Sequence, residues 1–278
     1  MCFSKRIPIF AALGLKVLLC TLFLKPIISQ AQVVIRDSLT NMELVFVKGG
    51  CYQMGDNFGD GEPDETPVHK VCVGDFYMGK YEVTQEEWVK VMGENPSAFK
   101  YGHRYPVEWV SWEDANLFLE KLNVQSHKEY RLPTEAEWEF ACRSRGSLVK
   151  YGTATGNLTP DQANYGSGNW GEGNVADGYE FTSPVGSFPP NSLGLYDMTG
   201  NLFEWVSDWK DMNESYYSES PVENPTGIKK SVRKVGRGGA WNFGPDHQRC
   251  SNRFSNWSNF NCVSYGFRVV LSVTDKNQ

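Results

Sequence analysis

Gly194-Leu-Tyr-Asp-Met-Thr-Gly-Asn-Leu-Phe-Glu-Trp205 crowds two glycines, an Asp, an Asn, a Glu and three aromatics into one short stretch. That mixture suits neither a helix nor a plain strand, so the stretch reads as turn-rich. Asp197, Asn201 and Glu204 fall within eight residues and can gather oxygen atoms around one point. A hard cation such as Ca²⁺ takes about six to eight oxygens from carboxylates, amides and backbone carbonyls. Tyr196, Phe203 and Trp205 would pack the same loop into a core. An Asx-turn with buried aromatics and no metal explains the residues equally well. Both readings stay open at this point.

The 278 residues are 40% hydrophobic and 14% aromatic, which suits a folded body and excludes intrinsic disorder. With 27 glycines and 9 tryptophans, the chain should be rich in turns and packed through aromatic rings. The net charge is −6; residues 1–31 hold Lys5, Arg6, Lys16 and Lys25 and no acid, so the rest carries −10. No basic stripe or polybasic run appears, and nucleic acid is therefore not an expected partner.

Residues 1–31 have a basic start, an apolar middle and Ser29-Gln-Ala31 as a small-x-small cleavage site, so they read as a secretory signal peptide. After its removal no membrane span is expected, and the protein should be secreted, periplasmic or in the cell envelope. Residues 32–41 read as a linker, 42–273 as one domain and 274–278 as a tail. Export permits disulfides among the remaining Cys51, Cys72, Cys142, Cys250 and Cys262. Cys51 with Cys72, and Cys142 with either Cys250 or Cys262, are the pairings considered. An odd count leaves one thiol over. No Cys-x-x-Cys or His-x-x-x-His supports zinc.

Leu44 to Val47 reads as a strand running into the Gly49-Gly50 turn, and Val68 to Tyr77 as one half-buried strand towards Met78. Three capping boxes announce helices: Thr84 with Glu87, Ser111 with Asp114, and Thr134 with Glu137. Capping accounts for these acids without catalysis, and Glu108 reads as a structural hydrogen-bonder. The acidic loop Asp56 to Glu65 does not follow EF-hand spacing. Tyr151 to Pro190 is long and irregular, which calls for something to fix it.

The opening stretch resembles the sulfatase-modifying-factor family, whose founding members are the formylglycine-generating enzymes. Arg131-Leu-Pro-Thr-Glu-Ala-Glu-Trp-Glu-Phe-Ala, Arg237-Gly-Gly-Ala-Trp, Gly266-Phe-Arg, Gly49-Gly-Cys-Tyr-Gln-Met-Gly and Tyr81-Glu-Val-Thr carry the same resemblance, in the family's order. It implies one α+β domain with the formylglycine-generating-enzyme fold, a variant of the C-type lectin fold. It also implies two structural calcium sites. Asn164, Asp177 and the carbonyls of Tyr165 and Tyr179 align with one; Asp197, Glu204 and the carbonyls of Gly200 and Leu202 align with the other. Asp197 stands where the best-known enzyme has Asn.

The active enzymes bind Cu(I) through two cysteines after the Arg-Gly-Gly motif, thiolates being soft ligands. Here Phe243 stands at the first of those positions, and the second falls in a shorter stretch without cysteine. Ala240 replaces the active-site Ser and Phe203 the usual Trp. Copper is therefore not expected, and a displaced Cys250–Cys262 pair is the one route back to it. The primary reading is a calcium-stabilised binding or accessory module for a protein or glycan ligand. Its candidate recognition residues are Phe243, Asp246, His247, Asn256, Trp257 and Phe260. The alternatives are a formylglycine-generating oxidase and another maturation enzyme on the same scaffold. No hydrolase elbow, phosphate loop or dinucleotide fingerprint favours a different chemistry.

Overall fold

A computed structural model of the chain describes residues 32–168, 171–213 and 215–273. The expected signal peptide and tail lie outside the described residues. The first sheet is antiparallel throughout and has five strands. They are β1 (Val34–Arg36), β2 (Glu43–Val47), β5 (Phe76–Gly79), β11 (Val270–Ser272) and β6 (Tyr130–Arg131), in that spatial order. Val45 and Val270 flank Met78 across three central strands, and all three side chains are buried. Strands β3 (Gly50–Met54) and β4 (His69–Val73) form a separate ribbon.

The second sheet has the order β10-β7-β8-β9, with β7 (Phe203–Trp209), β8 (Arg233–Arg237), β9 (Phe254–Trp257) and β10 (Tyr265–Gly266). Strand β10 runs parallel to β7 and the other pairs are antiparallel. The opening stretch is thus half loop and half strand. Gly194, Asp197, Gly200 and Asn201 all have positive φ, after which Phe203 enters β7. Only Gly, and more rarely Asn and Asp, tolerate that region cheaply, which explains the composition of the loop.

All three capping boxes form. Thr84 starts α1 (Gln85–Met92), Ser111 starts α2 (Trp112–Ser126) and Thr134 starts α3 (Glu135–Cys142), each with its reciprocal acid bond. Trp88 of α1 stacks on Phe118 of α2, and Phe118 meets Phe267 edge-on, so these two helices close one core. Helix α3 is buried along its whole length and puts Trp138 and Phe140 into a second core with Phe76, Met78 and Val206. A short α4 (Tyr216–Glu219) adds Tyr217 to it. No helix of the described residues is long and apolar enough to cross a membrane.

Two readings of the chain need correction. Residues 32–41 are not a free linker. Val34–Arg36 forms the edge strand β1, and buried Asp37 accepts bonds from Thr40 and from the Tyr130 hydroxyl at 2.8 Å. Val68 to Tyr77 is two strands rather than one, because the chain breaks at Gly74-Asp75 between β4 and β5 and joins different sheets.

The cysteines pair as Cys51–Cys72, across the ribbon, and Cys142–Cys250. Cys262 is the free thiol among the described residues.

Candidate functional site

The charges of the motifs meet inside the molecule. Glu204, at the start of β7, accepts both Nε (2.6 Å) and Nη2 (2.5 Å) of Arg268, and Trp138 Nε1 donates to it at 2.7 Å. Glu139 joins Arg143 to Arg237, and Glu135 takes a fork of two bonds from Arg253. All seven of these charged side chains are buried. The acids of α3 beyond the capping position therefore serve as counter-ions for buried arginines. Charges removed from water persist only when paired and hydrogen-bonded in this manner.

The first candidate calcium set comes together. Asp177 accepts from the backbone N–H of Tyr165 (3.2 Å) and of Tyr179 (2.9 Å), the two residues expected to offer carbonyls. Burial raises the Asp177 carboxyl above its ordinary pKa, against the lowering effect of its backbone hydrogen bonds. Asn164 donates its Nδ2 to Phe181 O and to Asn201 Oδ1, while its Oδ1 is buried without a hydrogen-bond partner. A buried acceptor without a donor costs free energy. One carboxylate, one amide oxygen and two carbonyls form a hard-oxygen set of the kind calcium takes.

The second set adjoins the first. Asn164 O accepts from Asn201 N at 2.8 Å, and Gly200 passes so close that a Cβ there would lie 2.1 Å from that oxygen. Asp197 accepts from Gly186 N, and burial pushes its carboxyl up to about 6. Glu82, which sequence reasoning did not single out, binds Asn201 Nδ2 and Leu202 N. It is raised well above the carboxylate range by burial, with Asp197 and Glu204 adding to the effect. Glu204 itself spends three acceptor positions on Arg268 and Trp138, of about four that a carboxylate has. Its first duty is therefore to hold Arg268. Among the described residues no three His, Cys, Asp or Glu side chains converge as a metal cluster.

The region of the copper thiols is filled with rings. Phe243 packs edge-on against Phe203 (4.7 Å) and Phe254 (5.4 Å), and Phe203 stacks on Phe254 and Tyr265. Cys250 is tied to Cys142, so Cys250 and Cys262 are not a free pair of thiols. Burial raises the Cys262 thiol further.

The candidate recognition residues split. Phe243 is buried in this ring cluster, which corrects its assignment to a recognition surface. His247 stands edge-on to Phe243 and Phe254, and burial lowers its pKa; Asp246 is exposed beside it. Asn256 lies in β9 opposite Lys234, and Phe260 is partly buried against Tyr265. Trp257 is 52% exposed, with the Arg233 guanidinium 5.0 Å from its ring centre.

Trp109, which sequence reasoning missed, lies in the adjoining loop: its N–H donates to Cys262 O, and its ring is 44% exposed. Its φ of 66° is unusual for so bulky a residue. Nothing local marks it, since Pro106-Val-Glu-Trp-Val reads as a plain connector.

Residues 30–273 match the family model described as sulfatase-modifying factor enzyme 1-like domain. The chain is 33% identical over 245 residues to the chaperone protein LppX of Paenibacillus barcinonensis, covering 72% of this chain and 78% of that one. It is 31% identical over 286 residues to the formylglycine-generating enzyme of Streptomyces coelicolor, covering 81% and 88%. The solved structure of PvdO from Pseudomonas aeruginosa superposes with a TM-score of 0.75 at 29% identity, over 87% of this chain and 98% of that one. The α+β architecture with short strands and few helices agrees with that neighbour. The chain belongs to the sulfatase-modifying factor family.

Proposed function

We propose that this chain is an exported, calcium-stabilised binding or accessory module of its family, not a copper-dependent oxidase. The thiols carry the reading. Cys250 is bonded to Cys142, Cys262 is alone, and a ring cluster occupies the place around Phe243. A soft Cu(I) centre needs a pair of thiolates, and this arrangement offers one. A relative named as a chaperone supports an accessory role over an oxidative one.

Recognition falls to the exposed aromatics Trp109 and Trp257, the latter with Arg233 over its ring as a cationic edge, for a protein or glycan partner. The strained backbone of Trp109 supports a role for its exposed ring, since strain of this kind clusters at functional sites. Calcium enters through Asn164 Oδ1, Asp177 and the carbonyls of Tyr165 and Tyr179. Bound there, it would pin Asn164 and Tyr165 to the turn at Asp177–Tyr179.

Two measurements test this. The protein, loaded with Cu(I) and offered a peptide carrying a Cys-x-Pro-x-Arg motif, should form no aldehyde; aldehyde formation would establish the oxidase. For calcium, the wild-type protein should melt higher in Ca²⁺ than in EGTA, and Asp177→Ala should abolish that increment. Superimposable wild-type melting curves in the two buffers would remove calcium from the proposal.

A further inference from the structure

We propose that a pocket apart from that face binds a carboxylated sugar of an acidic glycan. The cavity, of about 520 Å³, lies between α1 and the loop 99–105 and falls within the range of small-ligand sites. Glu86 and Val89 of α1 line it together with Lys100, Tyr101 and His103.

The pocket is built in advance. The first turn of α1 has N–H groups with no partner inside the helix. Gln85 N and Glu86 N donate instead to the carbonyls of Tyr105 and His103, which clamps the loop onto the helix. The Gln85 side chain bonds Phe99 O, Pro106 O and the Asn95 amide, fixing the remaining wall. Tyr101 is 57% exposed, yet it stacks nearly parallel on Phe99 with 8° between the planes and meets Tyr105 edge-on. An exposed ring held in one orientation costs little entropy when a ligand covers it.

The charge selects the ligand's sign. Lys90 is paired with Glu86, whereas the side chains of Lys100 and His103 are exposed and make no ion pair among the described residues. The exposed Lys100 ammonium beside an exposed ring favours a ligand with a carboxylate next to a flat C–H face. A pyranose uronate has both. An acidic peptide has the charge but needs backbone partners. The carbonyls of Phe99, Gly102, His103 and Tyr105 are already taken by Gln85, Tyr105, Glu86 and Gln85 respectively.

Calorimetric titration of the full chain with tetragalacturonate, maltotetraose and a tetraglutamate peptide tests the assignment. Tetragalacturonate should bind, with the neutral sugar and the peptide each at least ten-fold weaker. Tyr101→Ala, and separately Lys100→Ala with His103→Ala, should each lower uronate affinity at least ten-fold with the melting temperature unchanged. Trp257→Ala should leave it alone, which keeps this pocket apart from the proposed recognition face. No uronate binding, equal binding of tetraglutamate, or unchanged affinity in both sets of variants would overturn the proposal.

Discussion

Glu204 looks like a metal ligand when read along the chain, and in the folded protein it is the partner of Arg268. The two are fully buried, and Trp138 adds a third bond to the carboxylate. Removing one partner of such a pair leaves an uncompensated charge and costs about 3–5 kcal/mol. Glu204→Gln should therefore destabilise the protein by about that amount in EGTA as well as in Ca²⁺, measured by urea unfolding. A loss confined to the calcium buffer would instead return Glu204 to the metal.

Asp208 gives a second prediction at the scale of a residue. Burial, with Glu135 nearby, pushes its carboxyl up to about 7, although it accepts from Glu135 N and the Ser207 hydroxyl. Between about pH 4 and 7 the native state then holds more protons than the unfolded chain, so this group's contribution to stability falls as pH rises through that window. Asp208→Asn keeps the acceptor and removes the titration. The variant should gain on the wild type by roughly 3 kcal/mol between pH 4 and 7; a difference between the two that stays constant with pH would refute the assignment.

At the level of elements, the helices were legible because a capping box is local. The Thr84 hydroxyl accepts from Glu87 N, and the Glu87 carboxylate accepts from Thr84 N, all within four residues. Thr84→Ala should cost about 1 kcal/mol, read as a lower denaturant midpoint. Amide exchange should also quicken in loop 99–105, which holds the same helix end; unchanged exchange there would mean that the loop is anchored independently. The interior of α3 was less legible. Glu135 and Glu139 are the first and fifth residues of α3 and follow no local pattern; only their burial against Arg253, Arg143 and Arg237 assigns them a purpose. The strand break at Gly74-Asp75 was hidden for the same reason, since alternation continues while the hydrogen-bonding partners change.

For the whole molecule, the two disulfides divide the labour by the length of chain they close. Cys51–Cys72 spans 21 residues within one ribbon, and Cys142–Cys250 spans 108, tying α3 to the segment after β8. In the chain-entropy account a longer loop restricts the unfolded state more. Replacing Cys142 and Cys250 by Ser should cost about 5 kcal/mol and replacing Cys51 and Cys72 about 3 kcal/mol. Equal losses, or the reverse order, would mean that local strain or packing outweighs chain entropy.

The sequence by itself determined the family, the α+β class, three helix starts and the absence of two thiols at the copper positions. Each of these is a short-range pattern or an ordered series of motifs. Tertiary structure alone decided that Cys142 takes Cys250 rather than Cys262, that Phe243 turns inward while Trp109 and Trp257 face outward, and that residues 34–36 complete a sheet. It also decided that Asn164 Oδ1 is left without a donor while Glu204 accepts three bonds from Arg268 and Trp138. These outcomes depend on which distant segments pack together. Neighbouring residues do not encode that, because burial and pairing are properties of the assembled core.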